Sequence, residues 1–103
     1  MTRIEWTEPA VADLESIHDY IARDSAQYAD AIVERLILSV DQLEAFPESG
    51  RRVPESADPK IRELLVESYR IIYRQRKDTV QILAVVHGAR HLTKMKPNPW
   101  SQR

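Results

Sequence analysis

Cysteine is absent from this 103-residue chain, which excludes disulfides, thiolate metal sites and a cysteine nucleophile. Glycine is nearly absent: Gly50 and Gly88 are the only two, each isolated, so no glycine-rich loop can cradle phosphates and no dinucleotide fingerprint exists. No apolar run approaches the ~20 residues that cross a bilayer, and Met1-Thr2-Arg3-Ile4-Glu5-Trp6 carries no signal-peptide core. The expectation is a cytoplasmic protein with no membrane partner and no cofactor. A chain this short and without staples depends on its core. At 43% hydrophobic and 30% charged residues it has the means to build one, as a single domain over residues 1–103.

The formal net charge of −1 conceals a split. Residues 1–48 hold eleven acidic side chains against three basic ones, a net of −8, whereas residues 49–103 hold five acidic against twelve basic, a net of +7. An asymmetry of this kind points to an anionic partner for the basic half.

The pattern along the chain separates helices from strands. Arg3–Trp6 reads as a short strand, Thr7 as a helix N-cap, and Pro9 suits a first turn, where its missing N–H costs little. Ala10, Leu14, Ile17 and Ile21 recur at helical spacing, with His18 off that stripe as a surface residue. A second stripe, Ala29, Ile32, Val33, Leu36, Val40 and Leu43, predicts a second helix that stops at Phe46-Pro47. Residues 47–59 are rich in proline and turn formers and read as a loop. Ile61–Val66, Tyr69–Arg74 and Thr79–His87 read as strands, with a hairpin turn at 75–78. Residues 91–103 form a basic tail of no regular structure. The predicted class is α+β, a helical hairpin packed on a small antiparallel sheet.

Alternation in the strand Tyr69–Arg74 assigns Tyr69, Ile71 and Tyr73 to the core, with the tyrosines as core or platform residues, and turns Arg70, Ile72 and Arg74 to the other face. A turn centred on Arg76-Lys77 pairs Arg70 with Leu83 and Arg74 with Thr79. That register places Gln81, Leu83, Val85 and His87 beside the two arginines on an open face. Whether Arg62 joins them depends on the length of the turn at Glu67-Ser68, and a slip of one residue reverses every assignment. Arg70 can serve as an anion contact or lie in a salt bridge to Glu63 or Glu67. His87 can act as an acid–base group or end the strand. Arg51, Arg52 and Arg90 either contact phosphate or keep loops soluble. His87 and His91 are spaced H-x-x-x-H, but Gly88 interrupts and no third ligand is near, so no metal site is expected.

Several segments together resemble the RelE/ParE superfamily of type II toxin–antitoxin toxins. They are Trp6-Thr7-Glu8-Pro9-Ala10 with Asp13-Leu14 and Ile17; Leu43-x-x-Phe46-Pro47-x-x-Gly50-Arg51; Ile61-Arg62-Glu63-Leu64; Tyr69-Arg70-Ile71-Ile72-Tyr73-Arg74; and Val85-Val86-His87-Gly88-Ala89-Arg90. The resemblance implies a growth-arresting toxin neutralised by an antitoxin protein, with which it can form a hetero-oligomer. It also implies one of two targets. RelE-like members cut mRNA on the ribosome; here Arg70, His87 and Arg90 match the positions that would act, with Arg62 and Glu48 as weaker candidates. ParE-like members poison DNA gyrase and are not nucleases. Residues 47–59 contain no lysine and no tyrosine follows His87, which places the chain closer to the ParE branch. In either case Arg51, Arg62, Arg70, Arg74 and Arg90 are the expected contacts for target or antitoxin. An inactive binding module of the same fold is the third reading.

Overall fold

The computed structural model describes residues 2–90, 92–96 and 98–101. Strand β1 (Arg3–Trp6) leads into helices α1 (Glu8–Ala22) and α2 (Ala26–Asp41), followed by β2 (Arg51–Arg52), β3 (Ile61–Val66), β4 (Tyr69–Gln75) and β5 (Thr79–His87). The helices start where side chains can satisfy their first free N–H groups. Thr7 accepts from Ala10 N at 3.4 Å while its hydroxyl donates to Ile82 O at 2.7 Å, tying the start of α1 to β5. Ser25 accepts from Tyr28 N at 3.1 Å and starts α2. The second helix is shorter than the apolar stripe suggests: it gives way after Asp41 to a 3₁₀ turn, Gln42–Glu44, which buries Leu43.

The five strands form one sheet in the order β1-β5-β4-β3-β2. Strands β2 to β5 are antiparallel neighbours, and β1 joins the far edge parallel to β5. The helical hairpin covers one face of this mixed sheet, so the α+β class holds. Ala10, Leu14, Ile32, Leu36, Val40 and Leu43 meet Leu64, Ile71, Tyr73, Val80, Ile82 and Val85 there.

The opposite face is not open. Val53 from the β2–β3 loop and Leu92 from the C-terminal segment bury a second cluster with Ile61, Ile72, Leu83, Ala84 and Val86, and Met95 and Trp100 pack against it. Two 3₁₀ turns, Leu92–Lys94 and Pro99–Ser101, shape the segment expected to be an irregular tail. The cause is visible in β4 and β5, which are apolar on both faces and therefore need cover on both.

The register also departs from expectation. Arg70 lies opposite Val86 and Arg74 opposite Gln81, with an irregularity in pairing between Ile72 and Tyr73 that leaves Leu83 as the extra residue on β5. A bulge shifts side-chain alternation by one residue beyond it. Up to Leu83 the strand follows the expected faces. Past it, Ala84 and Val86 share the Arg70 face, while Val85 and His87 turn to the helical side. The turn at Glu67-Ser68 contains two residues, with Val66 opposite Tyr69. Glu67 takes φ 54°, the positive φ that the two-residue primed hairpin turns require at their first loop position. This parity puts Arg62 opposite Tyr73, on the helical side, and Glu63 opposite Ile72, on the Arg70 side.

Tyr73 pins the loop between the helices and β2. Its buried hydroxyl accepts from Gly50 N at 3.0 Å and donates to Pro47 O at 2.9 Å. A Cβ at position 50 would stand 2.6 Å from both Glu63 O and the Tyr73 hydroxyl, so glycine is required here by close approach. Burial pushes the Tyr73 phenol above its ordinary range, keeping it protonated and able to donate.

Candidate functional site

An open cavity of about 620 Å³ lies where the β3–β4 turn meets the end of β5. Arg51, Glu55, Glu67, Arg70 and His87 line it. Its floor is an ion cluster built from sequence-distant parts. Arg70 Nε donates to Glu63 Oε1 at 2.6 Å, and its two terminal nitrogens fork onto Glu55 at 2.8 and 2.9 Å. Arg51 Nε closes the other side of Glu63 at 2.5 Å. The Glu63 side chain is completely buried and that of Arg70 is 7% exposed, so both depend on this pairing to be buried at all. The Arg70 fork holds the Glu55 carboxyl down at about 2. Glu55 in turn, with Glu63, raises the Arg70 guanidinium above its ordinary value.

The cluster also fastens the covering segments. Glu55 Oε2 accepts from Leu92 N at 3.5 Å and Arg70 reaches Arg90 O at 3.5 Å, linking the β2–β3 loop, β4 and the C-terminal segment. Arg74 donates to Trp100 O farther along the same face.

His87 sits on the rim, exposed, with its ring edge-on to Tyr69 at 5.8 Å between centroids. Its Nδ1 accepts from Ala89 N at 3.2 Å, which assigns the proton of the neutral ring to Nε2. Beneath it, Asp13 of α1 accepts from Val85 N at 2.9 Å. Burial raises the Asp13 carboxyl, an effect opposed by the Val85 bond and by the charge of Arg90.

The candidate residues therefore fall into separate places. Arg51 and Arg70 share the ion cluster, and His87 and Arg90 stand at its rim. Arg62 and Glu48 lie at the opposite end of β3 and β4, where Arg62 Nη1 donates to Gly50 O at 2.8 Å and to Glu48 O at 3.5 Å. Tyr69 and Tyr73, which mark the two ends, are four residues apart, or roughly 13 Å along a strand. The joint open face of Arg70, Arg74 and His87 is corrected on two counts: loop and C-terminal segments cover the arginines, and the bulge turns His87 away. His91 lies outside the described residues. Among the described residues no group of three metal-ligating side chains assembles. Glu63 was legible as a salt-bridge partner of Arg70. Glu55 was not, because nothing local in a proline-rich loop signals which distant cation it meets.

A helical hairpin packed on one face of a small sheet agrees with the fold expected from the resemblance to the RelE/ParE superfamily. Residues 4–92 match the model of the ParE toxin of the type II toxin–antitoxin system parDE; the chain belongs to that family. Toxin RelE2 of Caulobacter vibrioides is 37% identical over 91 residues, covering 87% of this chain and 99% of the relative. Putative toxin Y4kP of Sinorhizobium fredii is 38% identical over 90 residues, covering 84% and 88%. Among solved structures, a chain of the chromosomal ParDE system from P. aeruginosa superposes with a TM-score of 0.72 at 28% identity, covering 84% of this chain and 96% of that one. The YoeB/ParE toxin from Agrobacterium tumefaciens shares the fold, with a TM-score of 0.54 at 16% identity over 84% of this chain and 98% of that one. Membership makes the chain a toxin of a type II module and implies a cognate antitoxin as partner. Among the described residues no helix is long and apolar enough to cross a membrane.

Proposed function

We propose that this toxin arrests growth by poisoning DNA gyrase rather than by cutting mRNA. The observation that carries this reading is the closed charge balance around Arg70. Ribonucleolytic attack by a ribose 2′-hydroxyl needs a proton acceptor within hydrogen-bond reach and cations free to stabilise a phosphorane. Here Arg70 spends its Nε and both terminal nitrogens on Glu55 and Glu63. Glu67 adds another carboxylate to the cavity wall. Arg70 and Arg51 are paired with Glu55 and Glu63, and Glu67 with Arg35, so a dianionic transition state entering this cavity meets cations already engaged by carboxylates. Glu48, the carboxylate candidate for a partner to His87, is at the other end of the sheet, and Glu55 and Glu67 on the cavity wall are each held by an arginine. In this reading Arg70 is a structural residue, and Arg51 and Arg90 are the exposed cations that meet gyrase or the antitoxin.

The nuclease reading retains one supporting observation, that Arg70 and His87 line the same cavity. A paired assay separates the two. Purified toxin is added to gyrase with supercoiled plasmid, and separately to translating ribosomes with a defined mRNA. Accumulation of cleaved-DNA complexes without mRNA scission is expected. Codon-phased mRNA cuts that disappear in His87→Ala would overturn the proposal and restore Arg70, His87 and Arg90 as catalytic candidates.

A further inference from the structure

At the end of the sheet opposite the ion cluster lies a second groove of about 360 Å³, lined by Glu48, Lys60, Arg62, Gln75, Arg76 and Lys77, with Pro59 at its edge. Four cations face one carboxylate there. At the other end of the sheet the arginines are paired with carboxylates: Arg35 with Glu67, Arg51 with Glu63, and Arg70 with Glu55 and Glu63. None of the groove's four cations forms an ion pair among the described residues. The imbalance extends into the sheet, because Arg52 of β2 stands directly opposite Arg62 of β3. Like charges in a cross-strand pair are destabilising, so a fold that keeps this pair carries an electrostatic strain that a polyanion would relieve. Arg62 is also held in place: Gly50 O and Glu48 O fix one end of its guanidinium, while its Nε is buried without an acceptor.

We infer that this groove binds the phosphate backbone of duplex DNA, a contact separate from the cavity around Arg70 and independent of whether gyrase is the target. The lining decides among anionic partners. An acidic protein segment would be expected to anchor through apolar or aromatic side chains, and among the described residues lining the groove Pro59 alone is apolar. Single-stranded nucleic acid is held by bases stacked on aromatic rings, and none of the lining residues is aromatic. What remains is a short rank of flexible and fixed cations, which suits the regularly spaced phosphates of a duplex.

The test is fluorescence anisotropy of labelled duplex DNA, single-stranded RNA of equal length and polyglutamate, titrated with the full chain at several salt concentrations. Four phosphate contacts predict a slope of log K against log salt of about −3.6, so duplex affinity falls roughly a hundredfold between 50 and 200 mM salt. The double variant Arg76→Glu/Lys77→Glu, both positions exposed in the β4–β5 turn, is expected to bind at least about tenfold more weakly at 100 mM salt, with the slope reduced by about 2. The matched variant Lys94→Glu/Lys96→Glu, with the same net charge but positions outside the groove, is expected to stay within about twofold of the parent. Unchanged melting temperatures in both variants confirm that folding is not what is read. Absence of duplex binding, equal losses in the two variants, or RNA or polyglutamate bound as tightly as duplex DNA would each overturn the assignment.

Discussion

Replacing Arg70 by alanine is expected to damage the fold before it damages any contact with a target. The substitution leaves Glu63, whose side chain is fully buried, with only the half-exposed Arg51 as partner. It also releases Glu55 and so unfastens the loop and the C-terminal segment that Glu55 joins through Leu92 N. Removing one member of a buried ion pair costs about 3–5 kcal/mol, because the other charge remains desolvated. Against a typical domain stability of about 5–15 kcal/mol, that is a large fraction. For a chain of this length it corresponds to a fall in melting temperature of more than about 10 °C. Urea denaturation followed by circular dichroism measures it directly, and Arg70→Lys is the informative companion. Lysine keeps the charge but cannot fork onto Glu55 while reaching Glu63, so an intermediate loss is expected. A cost below about 1 kcal/mol for Arg70→Ala, the range of an exposed pair, would refute the reasoning and make Arg70 available to an anionic ligand. The consequence for function is practical: loss of toxicity in an Arg70 variant means little until its stability is known.

Glu55 gives the cluster a pH signature. Its carboxyl is held at about 2, below the ordinary 4.5, so its contribution is fully present above the unfolded value and is lost as pH falls from about 4.5 through 2. Asp13, raised by burial, pulls the other way in part of that window. Comparison with Glu55→Gln isolates the effect: the acid limb of a stability–pH curve should flatten by at most about 3 kcal/mol, and an unchanged limb would show that the fork does not hold in solution. Tyr73→Phe keeps the ring but strips Gly50 N and Pro47 O of their buried partner. A loss of about 1–3 kcal/mol is expected, measured in the same denaturation experiment, with a neutral result pointing to water in place of the hydroxyl.

Much of the architecture was legible in the chain because it is decided locally. Thr7 and Ser25 cap the helices they precede, the spacing of Leu14, Ile17 and Ile21 marks a buried stripe, and Tyr69–Arg74 alternates as a strand must. The same segments, read together, were enough to indicate the toxin superfamily. The cover on the second face was also encoded, though less plainly. Thr79–His87 is too apolar for a strand with one face in water, and that run was the available sign that no open arginine face exists.

Local pattern determined the two helices with their buried stripes, the four longer strands, and the family to which the chain belongs. Those properties follow from interactions within a few residues of one another. Tertiary structure alone decided the environment of the functional side chains. One extra residue at Leu83 turns His87 out of the Arg70 row and leaves it at the rim of the shared cavity, a two-residue turn sends Arg62 away from Arg70 and Glu63 toward it, and a loop carboxylate fifteen positions away closes on the Arg70 guanidinium. Side-chain alternation has a period of two, so single-residue changes in bulge or turn length reverse the facing of everything beyond them. Whether a buried charge is free or neutralised depends on which distant segments fold over it.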